Sequence, residues 1–273
     1  MSPVTLLDGK EFAGFDRIHR GLAYGDGLFE TMRVSAGSVA LWPHHVARLA
    51  NGCARLGMDS PDEMLLASER DRLAEEQAES VLKLLVWRDA KSWGYDSAAS
   101  RAIHRCWTSA ALPPPDEAPL RVRWCDLRVA RQPRLAGIKS LNRLEQVLAR
   151  AEWSGSEWDE GLLLDGAGHV VGATAGNVFA VIDGSLVTPA LDECGVAGVF
   201  RGWMLEADGS IGIRAILRAD IERASEVFVT NAVRGIRPIA AIEDRPVAVG
   251  PVTRTWLARA RRAGLISCAG LIP

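Results

Sequence analysis

The sequence predicts a mixed α/β chain of α+β character built as two domains, and three features carry that expectation. Short runs of alternating apolar residues joined by Asp-Gly turns occur in both halves. Stretches with apolar residues three and four apart lie among them, and a proline-rich run at 112–119 separates the halves. The 273 residues are 48% hydrophobic, enough to bury a sizeable core and longer than a typical single domain. In the run from Leu112 to Pro119 the prolines supply no backbone donors and favour extended geometry. It is read as a linker between a smaller domain at 1–111 and a larger one at 120–273.

In the first half, Asp8-Gly9 is a turn signal between a strand at 4–7 and one near Phe12, and Gly37 sits between strands at 31–34 and 39–42. Val46, Leu49, Ala50, Cys53 and Leu56 place a helix over 43–57 that stops at a glycine, and a second helix is expected over 61–78. Strands at 80–87 and 102–107 follow, joined by a loop that carries Gly94. After the linker come a strand at 120–127 and a helix at 141–153, whose apolar positions are Leu144, Val147, Leu148 and Ala151. Strands at 161–164, 178–182 and 186–188 are set off by Asp165-Gly166 and Asp183-Gly184, and another lies at 227–230. A closing helix at 251–263 presents Arg254, Arg259, Arg261 and Arg262 to solvent.

Charge excludes several classes of partner. Lys and Arg total 32 against 34 Asp and Glu, a net charge of -2, which gives no footprint for nucleic acid or an anionic membrane, so a small-molecule substrate is expected. Cys53, Cys106, Cys125, Cys194 and Cys268 form no C-x-x-C pair and lie near no histidine cluster, so no metal site is expected, and buried thiols in a reducing cytoplasm fit them. The first eleven residues include Asp8, Lys10 and Glu11, unlike a signal peptide, and no stretch reaches the ~20 apolar residues that span a bilayer. A cytoplasmic protein is the expectation.

Lysine usage gives a clue to chemistry. There are four lysines, Lys10, Lys83, Lys91 and Lys139, against 28 arginines, so arginine has taken over nearly every surface cation role. Lys10 follows a turn, Lys83 lies in an alternating strand and Lys91 in a polar loop, whereas Lys139 is the only one after the linker. Lysine alone can shed its proton when desolvated and condense with an aldehyde. Lys139 is therefore either a nucleophilic amine or a solvated residue at a helix start.

Three further segments could serve a site. Gly195-Val196-Ala197-Gly198-Val199-Phe200-Arg201 puts glycines before a helix, where free amides can hold a phosphate, or it is simply a turn. Thr230-Asn231-Ala232 ends a strand and either converges on an anion or closes a turn. The stretch from Ala23 to Arg33 is a glycine-rich loop running into a strand, either part of a site or a plain connection. G-x-x-x-x-G-K-[ST], G-x-S-x-G and H-E-x-x-H are absent, against a P-loop NTPase, an α/β-hydrolase and a zincin. His44 and His45 are expected on a solvated helix face.

In order along the chain, Tyr24-Gly25-Asp26-Gly27-Leu28-Phe29-Glu30-Thr31, His45-Val46-Ala47-Arg48-Leu49, residues 137–146 around Lys139, residues 195–201 and Thr230-Asn231 resemble the fold-type IV pyridoxal-phosphate (PLP) enzymes, the class-IV aminotransferase family. Within it the likeness runs nearest to the aminodeoxychorismate lyases. The resemblance implies two domains, the second holding pyridoxal 5'-phosphate on a barrel-like sheet, and a homodimer. It implies that Lys139 joins the cofactor and then moves the proton, and that Arg48, Val199, Phe200 and Asn231 bind the phosphate. Phe29 and Arg33 are candidates for the substrate pocket, and aminodeoxychorismate, cleaved to 4-aminobenzoate and pyruvate for folate biosynthesis, is the implied substrate.

Two positions depart from the family pattern. Relatives carry a glutamate for the pyridine nitrogen where this chain has Gly172, a loss expected to harm transamination more than elimination and testable by Gly172→Glu. Where many relatives have an arginine near a substrate carboxylate, this chain has Trp93, which leaves the substrate less defined or is a packing residue. A D-amino-acid or branched-chain aminotransferase, and a relative that binds PLP with altered activity, stand as alternatives.

Overall fold

The computed structural model describes residues 5–12, 14–15, 18–89, 94–96, 100–114, 116, 118–155 and 157–266. Trp93, Lys91 and Cys268 lie outside them. The chain separates into two compact units, one comprising 1–113 with 138–142 and the other 114–137 with 143–273.

In the first unit Asp8 and Gly9, both at positive φ, turn the hairpin between β1 (Thr5–Leu7) and β2 (Lys10–Glu11). After α1 (Arg20–Tyr24) comes β3 (Gly27–Ser35), whose alternating burial fits one face on a core. The expected partner at 39–42 is shorter: β4 is Ser38–Val39, and α2 (Trp42–Leu56) already begins at Trp42, because Pro43 suits a first helical turn and no strand ladder. Gly57 closes α2, α3 (Glu63–Glu76) is capped by the Asp62 side chain, and β5 (Ser80–Arg88) and β6 (Ile103–Ala111) follow. The strands form one antiparallel sheet in the order β2-β1-β6-β5-β3-β4. Leu28, Met32, Val34, Leu82, Leu84 and Trp107 pack with Leu49, Cys53, Leu66 and Leu73 into its core.

The second unit adds β7 (Leu120–Val129), α4 (Leu144–Arg150), β8 (Glu160–Asp165), β9 (Val170–Ala173), β10 (Asn177–Ile182) and β11 (Ser185–Pro189). It continues with α5 (Val199–Ala207), β12 (Gly212–Arg214), α6 (Arg218–Arg223), β13 (Glu226–Asn231), β14 (Gly235–Ile242), β15 (Arg245–Pro246) and α7 (Pro251–Arg262). The sheet runs β12-β11-β10-β13-β14-β7-β8-β9, with β15 on β14. It curls until β9 meets β10 again, and a single core of Val122, Leu162, Val178, Ala180, Val227 and Ile239 fills the inside. This is the barrel-like sheet implied by the resemblance. β9 and β14 escaped the sequence reading because buried runs interrupted by glycine or proline lack a clean alternation.

The helix expected over 141–153 is confined to Leu144–Arg150. Residues 139–141 are extended instead, since their backbone is taken up by pairing with β3. The periodicity at Leu144, Val147 and Leu148 is real, yet these side chains are 68%, 60% and 53% exposed, so the stripe faces away from this chain's own core. Cys53, Cys106, Cys125 and Cys194 are buried free thiols, and burial pushes all four up in pKa, Cys125 to about 12.

At α7 the N-terminal amides lack a cap from their own segment, and the Glu226 carboxylate of β13 accepts from Val252 N (3.1 Å) and Thr253 N (2.7 Å). A side chain at Gly250 would put its Cβ 2.4 Å from that carboxylate, which accounts for the glycine. Glu226→Ala strands two helix-terminal donors beside a buried strand and is predicted to lower unfolding stability by about 1–3 kcal/mol, measured by urea denaturation.

Candidate active site

The first unit holds Lys139 by its backbone. Phe29 N donates to Lys139 O and Leu141 N to Gly27 O, both at 2.9 Å, around an antiparallel bridge between Leu28 and Ser140. Side chains therefore alternate along the segment: Ile138 and Ser140 are buried, and Lys139 points to the other face, with Nζ 4.1 Å from the Phe29 ring centroid. Gly27 makes the approach possible, because a Cβ there would lie 2.8 Å from Leu141 Cδ1 of that segment. Asp26 anchors the loop by accepting from Arg20 Nε at 2.8 Å and Arg88 Nε at 3.0 Å.

Lys83 lies directly opposite Thr31 in the β3/β5 pair, and its Nζ is 5.2 Å from the same Phe29 ring. Phe29, Thr31 and Arg33 are partly exposed on that face of β3, so Lys83 joins the predicted pair Phe29 and Arg33. An alternating strand had suggested only a sheet lysine, and the cross-strand register that brings it to Phe29 cannot be read from one strand.

The opposite face of β3 carries Glu30, 2% exposed. Glu30 accepts from Arg48 Nε at 2.8 Å and from Arg48 Nη2, and its Oε2 lies 2.6 Å from His45 Nδ1. His45 is 1% exposed, which corrects its expected place on a solvated face: it is one turn before Arg48 on the side of α2 that packs against the sheet. Burial raises the Glu30 carboxyl, but the Arg48 charge and the bonds from His45 and Arg48 outweigh it and hold the group at about 2. His45 is shifted down, first by burial and further by Arg48 and Lys139, against the opposing pull of Glu30.

In the second unit the glycine turn is stapled from β10. Asn177 Nδ2 donates to Val196 O at 2.8 Å, and its Oδ1 accepts from Gly198 N at 3.0 Å. A Cβ on Gly198 would fall 2.0 Å from that Oδ1. Gly137 adds two backbone bonds, to Gly195 O and from Ala197 N. The turn delivers Val199 and Phe200 as the first residues of α5, where helix amides lack intrahelical acceptors. Asn231 closes its own turn, with Oδ1 accepting from Val233 N and Arg234 N and Nδ2 donating to Ala175 O. Beside it, Thr230 Oγ1, in the segment the sequence offered as a possible anion site, is buried without a hydrogen-bond partner.

Gly172 is paired with Leu163, and its Cβ would lie 2.9 Å from the Gly176 carbonyl oxygen. A glutamate there must displace the 172–176 turn, so Gly172→Glu does not isolate the effect of a carboxylate. Glu160 does not stand in from the same face: it shares the pleat of Leu162 and Ala173 and accepts from the hydroxyl of Thr174 and the amides of Gly161 and Thr174. Burial raises its pKa against those bonds.

A group bearing an aldehyde and a phosphate fits what each unit offers. Lys139 supplies a primary amine beside an aromatic ring, Arg48 a planar cation, and the Asn177-held turn a set of amides followed by an unsatisfied hydroxyl. Among the described residues no cluster of His, Cys, Asp or Glu could hold a metal ion, and no helix is long and apolar enough to cross a membrane.

Residues 27–242 match the amino-transferase class IV family, and the chain belongs to it. Within that family it is similar to the aminodeoxychorismate lyase of Vibrio harveyi, 30% identical over 231 residues that cover 82% of this chain and 85% of the relative. The crystal structure of 4-amino-4-deoxychorismate lyase from Pseudomonas aeruginosa superposes with a TM-score of 0.90 at 40% identity, covering 95% and 98% of the two chains. A hypothetical aminotransferase from Mycobacterium tuberculosis, solved in its PLP-bound form, shares the fold at 17% identity, with a TM-score of 0.78 and coverage of 95% and 98%.

The low Glu30 pKa makes stability depend on pH. Its folded value lies below the usual 4.5, so the stabilisation is present above that value and is lost as pH falls toward about 2. A shift of that size corresponds to about 3 kcal/mol. Urea unfolding of the wild type and Glu30→Gln from neutral pH downward is expected to show a stability gap that narrows toward pH ~2.

Proposed function

We propose that the protein is a cytoplasmic, PLP-dependent 4-amino-4-deoxychorismate lyase that releases 4-aminobenzoate and pyruvate, a step of folate biosynthesis. The observation that carries this reading is the pair of amines on one aromatic ring: Lys139 Nζ at 4.1 Å and Lys83 Nζ at 5.2 Å from Phe29. One amine can move a proton while the other meets a substrate carboxylate. The relative that is 30% identical over 82% of this chain and the solved structure at 40% identity are both lyases of this kind.

Lys139 is the residue that holds the cofactor, with Arg48, Val199, Phe200 and Asn231 as its phosphate ligands. The Asn177 staple fixes the turn that leads into Val199 and Phe200, and Thr230 Oγ1 is a further donor. When bound, PLP supplies an electron sink for the carbon that bears the substrate amine. Lys139 Nζ takes the proton from that carbon, and the Phe29 ring restrains the amine close to it. The ether C–O bond then breaks, the ring becomes aromatic, and the expelled enolpyruvate gains a proton to become pyruvate. Phe29 and Arg33 line the substrate side, and Lys83 orients a carboxylate.

An aminotransferase is the second reading, favoured by the family as a whole. Gly172 supplies no carboxylate for a pyridine nitrogen, which disfavours a reaction that must hold a fully developed carbanion. A homodimer is part of the proposal, because the apolar face of Leu144, Val147 and Leu148 is left uncovered by the chain itself.

Incubating the PLP-loaded protein with aminodeoxychorismate is expected to yield equimolar 4-aminobenzoate and pyruvate, and Lys139→Ala none. Absence of product from loaded wild type, with amino-donor turnover in its place, would move the assignment to the aminotransferases. Lys83→Met is expected to raise KM for the dicarboxylate about tenfold or more while changing kcat less, read from initial rates of pyruvate formation.

A further inference from the structure

Among the described residues, His45 carries the buried, titratable group beside Arg48 that the proposed chemistry leaves without a task. Glu30, held at about 2, stays ionised throughout the working range, so the proton of the 2.6 Å contact resides on His45 Nδ1. In the neutral ring Nε2 is then a lone pair, buried and with no hydrogen-bond partner. Such an atom costs free energy as it stands, and the ring gains a second proton only if a negative charge arrives to balance it and to accept from the new N–H.

The charges acting on the ring come from three elements. Glu30 on β3 favours the protonated form, while Arg48 on the same helix and Lys139 in the 138–142 segment disfavour it. His45 Nδ1 and Arg48 Nη2 share one oxygen, Glu30 Oε2, so the imidazole and the guanidinium are neighbours across a single carboxylate. As it stands the trio carries one negative and one positive charge around a neutral ring. An anion that pairs with Arg48 offsets the cation that keeps the ring neutral and adds negative charge beside the imidazole's neighbour, in a buried site where charges are weakly screened.

We propose that His45 takes up a proton when the cofactor's phosphate engages Arg48, so that cofactor binding is coupled to pH through an imidazole remote from the reacting carbon. This rests on Arg48 being a phosphate ligand, as proposed above. The sign follows from linkage. The bound form holds the proton more tightly than the free form, so His45 strengthens phosphate binding as pH falls, by up to tenfold per pH unit between the two imidazole values. The coupling fades above the bound-state value, where neither form is protonated.

The test uses the full chain stripped of cofactor and titrated calorimetrically with pyridoxine 5'-phosphate. This probe has no aldehyde, so no bond to Lys139 contributes protons. Binding heats at pH 7 in two buffers of different ionisation enthalpy give the number of protons taken up. The expected result is a net uptake in the wild type that exceeds that of His45→Asn, whose amide can still donate to Glu30, by a measurable fraction of a proton. The phosphate's own titration, near pH 6, is common to both proteins and cancels. Pyridoxine without the phosphate is expected to give no such difference.

Equal uptake in wild type and variant, with both binding the probe, would overturn the proposal and leave the cofactor assignment standing. No detectable binding by the wild type would instead remove the phosphate site, and this proposal with it. Should the variant fail to fold, ring 15N resonances of the unaltered protein decide. His45 is expected to pass from a neutral to a doubly protonated pattern on saturation with the probe, and a ring that stays neutral rejects the idea.

Discussion

The first unit depends on the burial of one carboxylate. Glu30 faces the core side of β3, a place where an unpaired charge would be untenable, and it is tolerated because α2 brings a guanidinium and an imidazole to it one turn apart. The alternation of β3 fixes the remaining residues. If Glu30 points inward, Phe29 and Thr31 must point outward, and the backbone amide of Phe29 is then placed to receive the 138–142 segment. Lys139 lies over the Phe29 ring as a consequence of that register. A one-residue slip of β3 would bury Phe29 and expose the carboxylate, so the ion cluster and the position of the candidate nucleophile are selected together.

The second unit solves a different problem, that of holding a glycine turn still. Glycines allow the backbone to follow a tight path, but their freedom carries an entropic cost when the turn is ordered. Asn177 offsets it with one acceptor and one donor spent on Gly198 and Val196, and Gly137 adds two backbone bonds. The side chain of Asn177 occupies the space a Cβ at Gly198 would need, so the two residues are specified as a pair. The start of α5 is thus held in place by bonds made within the second unit.

Much of this architecture was legible in the chain. The hairpins at Asp8-Gly9 and Asp183-Gly184 need positive φ at both turn residues, and the sequence supplies the residue types that adopt it. Helix α2 announced itself through its periodicity and its terminal glycine. Lys139 was singled out because a chain that replaces lysine with arginine almost everywhere keeps one there. What stayed hidden depends on pairing across the sequence: Lys83 beside Phe29, the segment after Gly137 running along β3, and the stripe of α4 that faces outward. An apolar stripe shows that a helix covers something, without showing whether the covered surface belongs to the same chain.

His45 shows why such misses concentrate at the site. Two adjacent histidines at a helix start read as a solvated face, since lone histidines on helices are commonly exposed. The sign that could have corrected this was the spacing of His45 and Arg48, which puts both on one face of α2, together with a glutamate among the inward-facing positions of a strand. A carboxylate at a core position demands a countercharge and hydrogen-bond donors, and a helix offering an imidazole and a guanidinium at i and i+3 answers that demand. Reading the two elements jointly would have predicted the cluster; reading each by its own pattern places the glutamate as an anomaly and the histidine as surface. Polar residues that break a local pattern were here one another's explanation, and their pairing fixes the position of Arg48 in the candidate site.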